Sequence, residues 1–114
     1  MKNGYELLTT LTNTLNSNCS IINQLISEDK EAFSSNEEYV AVSIGIINEI
    51  KEIIEKLDKE IFILSKQLYD LLTPIYNYSN NLFNDYNIVN TYKLYDTLKI
   101  NIKELHDFLN KLSN

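Results

Sequence analysis

The 114-residue chain contains no arginine and no tryptophan, and only one cysteine, one histidine, one proline and two glycines. Each scarcity closes off something. So few turn formers cannot punctuate a multi-stranded β fold. A lone Cys19 cannot close an internal disulfide, which suits a reducing compartment. A single imidazole, His106, excludes a multi-histidine metal site within one chain. With no arginine, and 16 acids against 10 lysines, the chain is ill equipped to neutralise phosphate or read guanine. The isolated Gly4 and Gly45 supply no phosphate-cradling loop. The longest apolar run is Ile61–Leu64, far short of the roughly 20 residues that span a bilayer. The opening Met1-Lys2-Asn3-Gly4-Tyr5-Glu6 lacks the charged-then-apolar layout of a secretory leader. These absences together predict a cytoplasmic single domain over residues 1–114. It is expected to have no catalytic residue, cofactor, metal or nucleic-acid partner.

What is present is helical. Hydrophobic residues make up 44% of the chain, too many for a disordered one. From Glu6 to Phe33 a seam runs through Leu8, Leu11, Leu15, Ile22 and Leu25 at alternating steps of three and four, the spacing of an amphipathic helix. Cys19 lies on the flank of this seam and reads as a small core residue. Ser35 followed by Glu38 has the form of a capping box and predicts the start of a second helix. That helix keeps heptad spacing through Val40, Ser43, Ile47, Ile50, Ile54, Leu57, Ile61, Leu64, Leu68, Leu71 and Ile75. Thr73-Pro74 then marks either a kink or a turn into the third helix. From Tyr95 the seam returns as Leu98, Ile102, Leu105, Leu109 and Leu112, one residue out of step with Ile75–Leu82–Val89. The slip predicts a break near residues 84–90. The fold expected is all-α, an elongated antiparallel three-helix bundle, with four helices if the third breaks there.

Two polar residues occupy seam positions, Asn18 and Ser43. A buried asparagine fixes register at some cost in stability, while one at a bundle end meets water. His106 beside Asp107 reads as an ordinary helix-end pair, without the fixed geometry that acid–base catalysis requires. Charge is localised: Glu28 to Glu60 holds ten acids against four lysines, the whole net charge of −6. Such a face is suited to steering toward a basic partner.

The strongest interface signal is aromatic. Tyr76, Tyr78, Tyr86, Tyr92 and Tyr95 crowd into twenty residues together with Phe83, over the stretch where periodicity falters. Tyrosine offers large contact area at low entropic cost. The residues expected to contact a partner are Asn81, Leu82, Tyr86, Val89, Tyr92 and Tyr95.

Leu25-Ile26-Ser27-Glu28-Asp29-Lys30-Glu31-Ala32-Phe33, a short polar break, and Ile47-Asn48-Glu49-Ile50-Lys51-Glu52-Ile53-Ile54 together resemble the FlgN-type flagellar export chaperones. Asn77-Tyr78-Ser79-Asn80-Asn81-Leu82-Phe83 resembles the asparagine-rich start of that family's third helix. The likeness runs from Leu25 to Val89. It implies a non-enzymatic cytoplasmic chaperone that holds the C-terminal helices of hook–filament junction proteins before export. In that role the partner is an amphipathic helix of a secreted substrate, received in a groove beside the interrupted third helix. A second reading is a small acidic inhibitor, of the kind phages encode, whose Glu28–Glu60 face blocks the basic surface of a nucleic-acid-processing enzyme. A third is a homodimer closed through the apolar flanks of the second helix.

Overall fold

The computed structural model describes residues 4–57, 65–84 and 90–113, and every regular element among them is helical. In chain order they are α1 (Gly4–Leu25), α2 (Lys30–Ser35), α3 (Glu37–Lys56), α4 (Lys66–Asn84), α5 (Thr91–Asp96), a π-helical segment (Thr97–Ile102) and α6 (Lys103–Ser113). The last three run on without a break, because Asp96, Thr97 and Lys103 all keep right-handed helical backbone angles. Four long rods result: α1, α3, α4 and the composite α5–α6.

Capping chemistry cuts the first predicted helix short. Ser27 donates its hydroxyl to the Gln24 carbonyl at 2.7 Å, closing α1. Asp29 then accepts from the Ala32 amide at 2.8 Å and opens α2. The start of α3 also moves by one residue. Asn36, not Ser35, is the N-cap, accepting from the Tyr39 amide at 3.1 Å. Its own amide donates to the Phe33 carbonyl, so the same residue ends α2.

The break expected near residues 84–90 falls between Asn84, the last residue of α4, and the extended α5 cap Asn90. A further break, not expected from the sequence, interrupts the second predicted helix, so the described residues show four long helices rather than three. Leu57 turns to extended angles (φ −69°, ψ 135°) and ends α3, and the Ser65 hydroxyl caps α4 by accepting from the Leu68 amide at 3.2 Å. An unbroken helix from Val40 to Ile75 would stretch about 54 Å, beyond the 40 Å longest dimension of the molecule. The seam residues Ile61 and Leu64 lie outside the described residues. Pro74, the other expected interruption, sits inside α4, which continues through it. Its missing amide leaves the Asp70 carbonyl without the usual helical donor.

α1 contacts α3, α3 contacts α4, α4 contacts the π segment and α6, and α6 contacts α1, which closes a ring. The Tyr95 hydroxyl, early in the last rod, donates to the Glu28 carbonyl just past α1 at 2.8 Å. His106, further along, meets Asn16 at 2.6 Å. α1 and the last rod are therefore antiparallel, as an up-down-up-down four-helix bundle requires. The core is a single cluster from Leu7 to Leu109 that includes the fully buried Phe33, Ile47, Ile50, Ile75 and Leu98.

The π segment has a sequence origin. Leu94, Leu98 and Ile102 are all buried and step by four twice in succession. In an α-helix each such step drifts by about 40°. The wider π turn holds the three on one face. The hydroxyls of the buried Ser43, Ser79 and Thr97 are satisfied within their own helices, donating to the Tyr39, Tyr76 and Lys93 carbonyls, whereas the buried Ser34 hydroxyl on α2 has no partner among the described residues. Asn18 is only half-buried and turns its amide back to the Thr14 carbonyl.

Candidate functional site

The two walls of an open groove of about 770 Å³ come from α4 and the α5–π rod, with α2 at its rim. On α4 the residues Thr73, Pro74, Asn77, Tyr78 and Asn81 recur at steps of three and four, which places them on one face. Opposite stand Asn90, Lys93, Asp96, Thr97 and Asn101. Lys30 and Tyr92 complete the rim.

Hydrogen bonds fix the frame of the groove. The Asn90 carboxamide caps α5 by accepting from the Lys93 amide at 3.0 Å. The buried Tyr78 phenol donates to the Asn90 carbonyl at 3.2 Å, tying α4 to that cap. Burial pushes the Tyr78 phenol up to about 12, so at neutral pH it is a fixed donor. Thr73 and Thr97 donate to the Tyr69 and Lys93 carbonyls, both at 2.7 Å. These three hydroxyls are thus engaged with backbone oxygens, and the exposed Tyr92 phenol is a fourth hydroxyl on the lining. What the groove offers a ligand is amide hydrogen bonding and charge.

Its charged groups are arranged around aromatic rings. The Lys30 ammonium lies 2.9 and 3.1 Å from the two Asp96 oxygens and 5.8 Å from the Tyr92 ring centre. Lys93 sits 5.9 Å from the centre of the Tyr78 ring, a cation–π distance. Tyr92 is 48% exposed, one of the most accessible large apolar side chains described.

The residues expected to contact a partner divide three ways. Asn81 and Tyr92 line the groove. Leu82 and Tyr95 are core residues, a correction to their expected surface role. The Tyr95 ring packs edge-on against Phe33 at 5.4 Å, and its hydroxyl, besides bonding Glu28, accepts from the Lys99 ammonium at 3.5 Å. Tyr86 and Val89 lie outside the described residues. Sequence reasoning missed Lys30, Asn77, Lys93 and Asn101. The four-residue step from Asn77 to Asn81 and the eight-residue step from Lys93 to Asn101 are signals that could have found three of them. Lys30 had none, being 66 residues from its partner Asp96.

Cys19 and His106 line a second, smaller groove between α1 and the last rod, with Lys99, Lys103 and Asp107. His106 Nε2 is 2.6 Å from Asn16 Oδ1, a hydrogen-bond distance. The Cys19 sulfur accepts a weak bond from the Asn23 carboxamide at 3.8 Å. Among the described residues no group of three or more His, Cys, Asp or Glu side chains is placed to hold a metal. No described helix is long and apolar enough to cross a membrane. No protein-family model, curated protein or solved structure matches the chain.

Proposed function

We propose that this chain is a non-catalytic protein-binding bundle that grips a partner polypeptide at the groove between α4 and the α5–π rod. The observation that carries the reading is the groove's inventory: an exposed tyrosine, two lysines and several carboxamides on helices, with the Thr73, Tyr78 and Thr97 hydroxyls already engaged. Such a surface binds and positions rather than transforms. The likeness of Leu25–Val89 to the FlgN-type export chaperones supports a partner among hook–filament junction proteins, held in the cytoplasm before export. Calorimetric titration with C-terminal segments of those proteins tests this. Micromolar binding, weakened by Tyr92→Ala, supports it; no heat at high micromolar concentration overturns it.

A second reading rests on a separate face. The described acids from Glu28 through Glu55 are all exposed, along the α1–α2 loop, α2 and α3. As a small inhibitor the chain would present this row to a basic enzyme surface. Binding would then weaken steeply with salt and be indifferent to groove substitutions.

A further inference from the structure

We infer that the groove between α4 and the α5–π rod reads an extended, acidic peptide segment through a ladder of asparagine carboxamides. The inference rests on the protein-binding reading above and replaces the amphipathic-helix occupant that the family likeness implies with an extended one.

Spacing is the first reason. Asn77 and Asn81 are four residues apart on α4, about 6 Å along the helix. Alternate residues of an extended chain that share a face are about 6.6 Å apart. A carboxamide carries both a donor and an acceptor, the same pair that a peptide unit presents. Two asparagines one helical turn apart therefore match the backbone groups of residues i and i+2 of an extended segment. On the opposite wall Lys93 and Asn101 are eight residues apart, about 12 Å, or close to four extended residues. Among the described residues the carboxamides of Asn77, Asn81 and Asn101 carry no hydrogen bond, which leaves the ladder open.

Lining chemistry is the second. Among the described residues that line the groove there is no Leu, Ile, Val, Met or Phe. An amphipathic helix needs apolar pockets at i, i+3, i+4 and i+7, and the described lining residues supply none.

Charge is the third. Among the described lining residues two lysines face one aspartate, although the chain as a whole carries −6. Asp96 is already paired with Lys30. Lys93 has an aromatic face as its neighbour and makes no ion pair among the described residues. Its ammonium is therefore complementary to a carboxylate on the occupant, and Tyr92 beside it offers a ring for the occupant to lie against.

The test is an NMR titration of the full chain, isotope-labelled, with an N-acetylated, C-amidated pentapeptide of alternating serine and glutamate. The same peptide with glutamine at each glutamate is the comparison. Shifts are expected at the side-chain amides of Asn77, Asn81 and Asn101 and at Lys93. The glutamine peptide is expected to bind about tenfold more weakly, the scale of one exposed charge-assisted hydrogen bond. Lys93→Gln should erase the difference between the peptides, while Lys111→Gln on α6 should leave it intact. Equal affinity for the two peptides overturns the inference, as do shifts that map outside the groove or no shifts at millimolar peptide. Groove shifts caused instead by an apolar helical peptide overturn it as well. If the pentapeptide fails while a junction-protein segment still binds, the ladder falls and the protein-binding reading stands; if both fail, both fall.

Discussion

Tyr95→Phe isolates a single hydroxyl in the bundle. The Tyr95 ring is 4% exposed and stacks edge-on with Phe33, and the substitution leaves that packing in place. What disappears is the donor to the Glu28 carbonyl at 2.8 Å, shared at 3.4 Å with the Ile26 carbonyl, and the acceptor for the Lys99 ammonium at 3.5 Å. The first bond is short and ties the α1–α2 loop to the last rod. The second is long and reaches an exposed lysine, so it contributes little. Losing a well-formed, part-buried hydrogen bond costs about 1–1.5 kcal/mol. At about 2.1 cal/mol/K per residue, unfolding this chain carries an entropy near 0.24 kcal/mol/K, so the melting temperature should fall by about 4–6 °C. Thermal circular dichroism reads that number, and hydrogen exchange localises it: the α2 amides should exchange faster while those of α3 and α4 hold. Tyr92→Phe, on an exposed ring, should move the midpoint by no more than about 1 °C. A midpoint for Tyr95→Phe within about 1 °C of the parent, or unchanged exchange in α2, would refute the idea that this hydroxyl fastens the loop.

Other expectations follow from the core, the proline and the buried phenol. Ile50 is completely buried on α3, and Ile50→Asp should unfold the bundle, because the carboxylate has no partner there; a mutant still helical by circular dichroism contradicts the assignment. Pro74→Ala restores a helical donor to the Asp70 carbonyl on an exposed face of α4 and should stabilise the protein by about 1–2 kcal/mol, read by denaturant titration. The Tyr78 phenol titrates near 12 in the folded chain against 10.0 unfolded. Its contribution to stability is therefore full below pH 10 and lost between pH 10 and about 12. Tyr78→Phe should flatten that part of the stability–pH curve, and an unchanged slope counts against the desolvated phenol.

Helical character and the interruption between Asn84 and Asn90 were legible in the sequence, and the break after Leu57 was not. Ile47, Ile50 and Ile54 on α3 and Leu68 and Ile75 on α4 are all core, as their heptad spacing implied. Periodicity records which residues face the interior, and two antiparallel helices can carry the same phase across a break. The break itself was written in weaker signals, a capping serine at Ser65 among them. Ser35 and Asn36 are both good caps, and only backbone geometry decides between them; the extended angles fall on Asn36. The π segment left a trace in the doubled four-residue step of Leu94, Leu98 and Ile102. Tyr95 was misplaced because tyrosine serves cores and surfaces alike. Tyr95 lies three residues before the seam residue Leu98, and that position marks it as interior. The groove's polar lining comes from three separate stretches of chain, and no local pattern announces such an assembly.

Asn36 has a mechanical consequence. With one residue serving as the stop of α2 and the start of α3, no slack separates the two helices. Any tilt of α2 must be taken up by the two backbone torsions of that one pivot, or else passed directly to the first turn of α3. The far end of α2 is moored through Lys30 to Asp96. A load that displaces Lys30 therefore acts on a short crank, and the torque is delivered at the root of the acidic rod.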